Sequence, residues 1–170
     1  MTFKNAPPFT VIKDTREQDG YTFLKEKTRG FECLGMINKK LDTGDYSLLG
    51  FEDKICIERK ASTSELANNL GKDKYRFLKE IERMRTFPHK FIILEFTLED
   101  LMNFPEGAGI PQENLNSIKI TNKYMLKMLM EFQLYDNIHV LFCGNRKNAK
   151  LTTTSILKRI NEMYTVGRKI

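Results

Sequence analysis

Lys54-Ile-Cys-Ile-Glu-Arg-Lys60 is the stretch from which the fold is read. An apolar run rich in β-branched residues that ends in Glu-Arg-Lys reads as a strand carrying charge to the edge of a sheet. Strand side chains alternate, so Glu58 and Lys60 share one face, while Arg59 lies on the other with Ile55 and Ile57. Upstream stand Asp14-Thr-Arg-Glu17 and Gly44-Asp45-Tyr46. A carboxylate and an ammonium side by side, with further carboxylates nearby, suit metal-assisted cleavage of phosphodiesters. Hard oxygen ligands would hold the cation, and the lysine would stabilise charge on the phosphate or help a water attack.

Working outward, Phe9–Lys13 reads as a first strand and Phe31–Ile37 as a second, with a short helix or loop between them. Thr43–Leu49 and Lys54–Lys60 read as a hairpin turning through Gly50-Phe-Glu-Asp53. Ser62-Thr-Ser-Glu65 has the form of a capping box, so a helix begins there and Gly71 ends it. A second helix spans about 73–86, with Phe77, Leu78, Ile81 and Met84 at helical spacing and Pro88 closing it. Residues 90–96 read as a buried strand and Thr97 as the cap of a short helix. Pro105–Ile110 reads as a loop and Thr121–Tyr135 as a long helix. A last strand follows at Ile138–Cys143 and a final helix at about 148–164. Strands alternating with helices predict an α/β protein, a three-layer α/β/α sandwich with a mixed central sheet.

With 170 residues, the chain is most simply one domain, residues 1–170. Hydrophobic residues at 41% and charged residues at 29% are ordinary for a globular protein. No apolar run is long enough to span a bilayer, and Met1–Pro8 has no apolar leader core. The expectation is an intracellular protein, in the cytoplasm or nucleoid of a prokaryotic or virus-infected cell rather than secreted. Cys33, Cys56 and Cys143 lie in strand-like runs and read as reduced thiols, and zinc-site spacings are absent. The net charge of +6 is uneven: residues 72–90 hold seven Lys/Arg against three Asp/Glu, and residues 144–170 seven against one. Basic flanks around an acidic centre suit a polyanion held while a cation is bound between them.

Taken in order, Val11-Ile-Lys-Asp-Thr-Arg-Glu17, Gly44-Asp45-Tyr46 and Ile57-Glu-Arg-Lys60 resemble the nuclease domain of the XPF-type structure-specific endonucleases, within the PD-(D/E)XK superfamily. The resemblance continues into Ile92–Phe96 and the last strand and helix, and implies a restriction-endonuclease-like fold. It implies a catalytic set of Asp14, Glu17, Asp45, Glu58, Arg59 and Lys60, working with Mg²⁺, or Mn²⁺ as a substitute. Asp45, Glu58, Asp14 and the Arg59 backbone carbonyl would be the metal ligands. Arg16, Lys72, Lys74, Arg76, Arg146 and Lys147 are the expected nucleic-acid contacts. The family usually has an acid four residues after the lysine of Glu-Arg-Lys; here Ser64 stands there and Glu65 follows, as substitute acid or as helix cap. The tandem helix-hairpin-helix module usual in the family is not expected within these 170 residues, so a separate DNA-targeting partner is one expectation.

The function so read is a divalent-metal-dependent DNA endonuclease acting on branched or otherwise structured DNA. The alternatives are a non-catalytic DNA-binding scaffold subunit and a nuclease acting on RNA. Glu95, an acid within an apolar strand, needs a partner and is read as structural. Tyr75 is read as packed inward. Met125, Met128 and Met130 with Leu126 and Leu129 read as core or as a dimer contact, and the resemblance points to a homodimer through the late helices.

Overall fold

The computed structural model describes residues 6–167. Residues 1–5, part of the stretch read for a leader, lie outside the described residues, as do residues 168–170 with two of the C-terminal basic charges. Among the described residues no helix is long and apolar enough to cross a membrane.

Seven strands form one mixed sheet: β1 (Phe9–Lys13), β2 (Lys25–Thr28), β3 (Phe31–Asn38), β4 (Tyr46–Leu48), β5 (Ile55–Lys60), β6 (His89–Leu94) and β7 (His139–Phe142). Their spatial order is β2-β3-β1-β4-β5-β6-β7. Strand β4 runs antiparallel to both its neighbours, whereas β5, β6 and β7 are parallel. The helices are α1 (Thr63–Leu70), α2 (Lys74–Met84), α3 (Leu98–Asn103), α4 (Gln112–Leu115), α5 (Asn122–Asp136) and α6 (Arg146–Thr165).

The alternation within β5 divides the core in two. Cys56 joins Leu66, Phe77, Ile81, Leu129 and Phe132 from α1, α2 and α5 on one face. Ile55 and Ile57 join Val11, Tyr46, Leu157 and Ile160 on the other, which α6 covers. Helices therefore flank the sheet on both sides, and the three-layer α/β/α architecture expected from the sequence is the one observed. Both faces of β5 are buried, which accounts for its near-continuous apolar run.

Three expectations need correction. The segment read as a helix or loop before β3 contains β2, whose Lys-Glu-Lys-Thr residues are all exposed. It carries no hydrophobic alternation because it is an edge strand held by its ladder to β3, and its charges discourage pairing with other chains. The strand expected at Thr43–Leu49 is only Tyr46–Leu48. Gly44 delays its start: φ is +82°, and a Cβ there would lie 2.6 Å from Cys56 Sγ. Finally, α4 lies in a stretch with no periodic signal, a single turn with no buried residue.

Both expected caps form, but the box expected at Ser62 is only half closed, because Glu65 accepts from Ala61 N–H and not from the Ser62 N–H. Ser62 Oγ accepts from Glu65 N–H at 3.1 Å and starts α1. Thr97 and Asp100 exchange hydrogen bonds in a full capping box at α3.

Candidate active site

Because β4 runs against β1 and β5, its first residues meet the C-terminal ends of both neighbours. Asp14 N–H donates to the Asp45 carbonyl at 2.8 Å, and Asp45 N–H to the Ile57 carbonyl at 2.7 Å. Three segments distant in sequence thus converge at one edge of the sheet. An open cleft of about 590 Å³ lies there, lined by Asp14, Arg16, Glu17, Asp45, Glu58 and Arg59, by Glu65 of α1, and by Arg76, Glu80 and Arg83 of α2, among others.

Asp45 precedes β4 and reaches across to β5, where Arg59 N–H donates to its Oδ2 at 2.7 Å. The N–H and C=O of one strand residue point to the same side, so the Arg59 carbonyl faces the Asp45 edge too. Burial, then the negative charge of Glu58, pushes the Asp45 carboxyl well above its ordinary range. Glu58 is 7% exposed. Its Oε1 accepts from Lys60 Nζ at 2.7 Å. Lys60 lies beneath, 4% exposed, its ammonium 4.6 Å from the centre of the Phe77 ring. Burial alone would lower its pKa, but the Glu58 carboxylate outweighs this and holds it raised. Lys60 therefore remains a cation.

Asp14 has a different environment. Its Oδ1 accepts from Arg16 N at 2.8 Å and Nε at 2.7 Å, and its Oδ2 from Leu41 N at 2.6 Å and Arg16 Nη2 at 3.2 Å. Burial works against the charged form, yet these donors together hold the carboxyl below its usual value. Both Asp14 oxygens accept from donors of neighbouring loops, whereas Asp45 accepts from Arg59 N–H through Oδ2 and Glu58 from Lys60 through Oε1.

On the opposite face of β5, Arg59 is 5% exposed and pairs with Glu95 through Nε at 2.6 Å and Nη2 at 3.2 Å. Its Nη1 lies 3.5 Å from Glu17. Arg59 thus sends its backbone amide to Asp45 and its side chain to a buried ion-pair network on the other side. Glu95, read as structural, is the partner that this buried guanidinium requires.

Of the remaining expected residues, Glu65 stands at the start of α1 close to Lys60. Its Oε2 accepts from Ala61 N at 2.8 Å, and its Oε1 lies 3.8 Å from Lys60 Nζ. Ser64 instead donates to the Ala108 carbonyl at 3.2 Å. Arg16 and Arg76 line the cleft, whereas Lys72, Lys74, Arg146 and Lys147 do not belong to its lining. Lys74 extends over the Tyr124 ring, and Arg146 donates to the carbonyls of Asp19 and Gly20. Tyr75, expected to pack inward, is 75% exposed, because the buried face of α2 is already supplied by Phe77, Ile81 and Met84.

Glu80 and Arg83 were not singled out from the sequence. With Arg76 they recur at i, i+4 and i+7, a polar stripe beside the apolar one. Burial, then Glu58, raises the Glu80 carboxyl, so the acidic centre extends onto α2.

Among the described residues no three His, Cys, Asp or Glu side chains form a metal-binding group. The donors that are present still fit a small hard cation. A buried carboxylate, Glu58, and a half-buried one, Asp45, that repel each other beside a backbone carbonyl suit Mg²⁺, which keeps several waters and takes one or two protein carboxylates.

The mixed sheet flanked by helices is a restriction-endonuclease-like fold. The chain belongs to the ERCC4 domain family, which matches residues 14–155. Among solved structures it is similar to XPF from Aeropyrum pernix, at 20% identity and a TM-score of 0.57, with 95% of this chain and 64% of that one covered. It is also similar to XPF from Aeropyrum pernix in complex with DNA, at 19% identity and a TM-score of 0.56, with 92% and 66% covered. The chain therefore spans just under two thirds of each of those proteins. No curated protein sequence matches it.

Proposed function

We propose that the chain is a divalent-metal-dependent DNA endonuclease that hydrolyses phosphodiester bonds, with branched or otherwise structured DNA as its substrate. The observation that carries this reading is the junction of Asp45, Glu58 and Lys60. Two mutually repelling carboxylates line an open cleft rimmed by Arg16, Arg76 and Arg83, and the buried Lys60 ammonium donates to Glu58 from beneath. Membership of the ERCC4 family, and the likeness to an XPF studied with DNA, support a nucleic-acid substrate and DNA in particular.

Asp45, Glu58 and the Arg59 carbonyl would hold Mg²⁺, or Mn²⁺ in its place. Bound there, the cation supplies an acidified water and neutralises charge at the phosphate. The chain's own groups do the rest. Arg16, Arg76 and Arg83 grip the strand at the rim of the cleft. Lys60, kept cationic by Glu58, serves as an electrostatic donor to the phosphate oxygens rather than as a base. Asp14 orders Arg16 and the Leu41 loop. In-line attack by water expels the 3′ oxygen, leaving a 5′-phosphate and a 3′-hydroxyl.

Pairing of two chains through the late helices rests on α5, where Met125 and Met128 are core but Met130, Leu134 and Tyr135 are 38%, 78% and 81% exposed.

The test is cleavage of labelled single-stranded, duplex, flap and fork DNA, with the corresponding RNAs, by the native chain and by Asp45→Ala, with Mg²⁺, Mn²⁺ or EDTA. Cutting of DNA that needs metal and is lost in Asp45→Ala is expected. Binding without cutting under every condition would replace the enzyme with a scaffold, and cutting confined to RNA would reassign the substrate.

A further inference from the structure

We infer that Arg146 is a positioning residue for the cleavage reaction, a latch that ties the loop after β1 to the start of α6, and not a phosphate contact. This rests on the nuclease reading above and concerns how its site is held together.

The loop from Asp14 to Tyr21 brings Arg16 and Glu17 to the cleft. Its far end has few internal fixings. Tyr21 N–H donates to Tyr46 Oη at 2.6 Å, and Gly20 packs so closely that a Cβ would meet Tyr46 Oη, Glu17 Cγ and Lys13 Cδ within 2.7 Å. Arg146, in the first turn of α6, completes the fixing from 126 residues away along the chain. Its Nη1 donates to the Asp19 carbonyl at 3.0 Å and its Nη2 to the Gly20 carbonyl at 2.9 Å. A planar fork with two parallel donors suits two consecutive carbonyls, which a lysine ammonium cannot bridge in the same way.

The surroundings disfavour DNA at this guanidinium. Asp19 Oδ2 lies 3.4 Å and Glu95 Oε1 3.9 Å from Nη1, and the plane sits 5.4 Å from the Tyr21 ring centre. Carboxylates stand beside its charge, and Nη1 and Nη2 are already donating to main-chain carbonyls. Glu95 also holds Arg59, whose guanidinium lies 5.3 Å from the same Tyr21 ring and whose amide holds Asp45. One continuous contact path therefore runs from α6 through Arg146, Glu95 and Arg59 to Asp45. Loosening the latch should shift Glu17 and Arg59 without removing any group that touches the phosphate.

Arg146 is 45% exposed, so Arg146→Ala should fold. Three readouts are taken on Arg146→Ala and Arg146→Lys in the full chain. Amide hydrogen exchange over residues 15–22 is followed without metal or DNA. Turnover is measured at saturating fork DNA, and binding to the same DNA with Ca²⁺ is measured against salt. The expected result is faster exchange in the loop and turnover lowered about 10- to 100-fold, the scale of a small misplacement of reacting groups. The salt slope should be unchanged, and Arg146→Lys should fail to restore turnover. A slope reduced by about 0.9, the loss of one phosphate contact, would overturn the inference, as would unchanged loop exchange. If the native chain cuts nothing, the nuclease reading falls, and the exchange measurement still decides whether the latch exists.

Discussion

Asp45→Asn should make the metal-free protein more stable while abolishing its response to metal. Burial and Glu58 push the Asp45 carboxyl well above its ordinary range. An acid with a raised folded-state pKa binds more protons folded than unfolded across the interval between the two values. Stability therefore falls as pH rises through that interval, and a side chain that cannot ionise escapes the penalty. Like charges at a contact distance of about 5 Å repel by roughly 3 kcal/mol at an effective dielectric constant near 20, which sets the scale for the Glu58 charge acting on Asp45. The Lys60 ammonium and the Arg59 amide offset part of this, leaving a net gain of about 1–2 kcal/mol on neutralisation. Asparagine keeps an oxygen for the Arg59 N–H, so the gain is not lost to an orphaned donor. For a chain of this size that is a rise in Tm of about 2–8 °C in EDTA at pH 7.5. Mg²⁺ at a hundred times its Kd should stabilise the native chain by about 2.7 kcal/mol and leave Asp45→Asn unmoved. Calorimetry or thermal denaturation with EDTA and with Mg²⁺ reads both effects. A variant less stable than the native chain in EDTA, or one that Mg²⁺ stabilises equally, would refute the argument that Asp45 and Glu58 are held in tension for a cation.

Other outcomes follow from the same geometry. Lys60→Gln should lower turnover about 10²–10³-fold while keeping the Mg²⁺-induced rise in Tm, since it removes a donor to the phosphate and no metal ligand; loss of that rise would assign Lys60 to metal binding. Glu95→Ala strands the buried Arg59 guanidinium and should cost about 3–5 kcal/mol in urea unfolding, with Glu95→Gln milder; a cost below 1 kcal/mol would show that water replaces the partner. Asp14, held below its ordinary value of 3.8, contributes stability that is full above that value and lost as pH falls through the lower folded-state value. Asp14→Asn should therefore be less stable at pH 7 by about 2 kcal/mol and flatter in its acid limb; parallel acid curves would sink this. Arg76→Ala and Arg83→Ala should each reduce the salt slope of DNA binding by about 0.9, and unchanged slopes would remove α2 from the DNA grip.

How much of this was legible in the sequence depends on the range of each interaction. The β5 run, the Ser62 and Thr97 caps and the apolar stripe of α2 are local patterns, and each produced the element it predicts. Chemical alternation in Ile57-Glu-Arg-Lys60 also assigned the two faces correctly. What was not legible depends on pairing across the chain. Asp14 reads as a bare acid at a strand end until Leu41 N–H, 27 residues away, is seen to occupy one of its oxygens. Arg146 reads as one more charge in a basic tail until the Asp19 and Gly20 carbonyls are placed beside it. Glu80 and Arg83 were visible as a polar stripe, but only the packing of α2 over the end of β5 turns that stripe towards the cleft. Strand β2 carried no hydrophobic signal because nothing covers it.

The arrangement of β5 explains why so short a motif can build a site. Consecutive residues of a strand face opposite sides of a sheet, so Glu58 and Lys60 can be committed to the cleft while Arg59, between them, is committed to Glu95 beneath α6. The backbone of Arg59 remains at the strand edge, where its N–H fixes Asp45. Side-chain anchoring on one face thus fixes the backbone that positions carboxylates on the other. A shift of β5 by one residue would exchange the two faces, burying an unpaired guanidinium among Leu66, Phe77 and Ile81 and pushing Glu58 and Lys60 into the apolar layer under α6. Register is therefore enforced by the cost of misplacing charge as well as by hydrophobic packing, and the same charges that would be misplaced are the ones proposed to act on the phosphate.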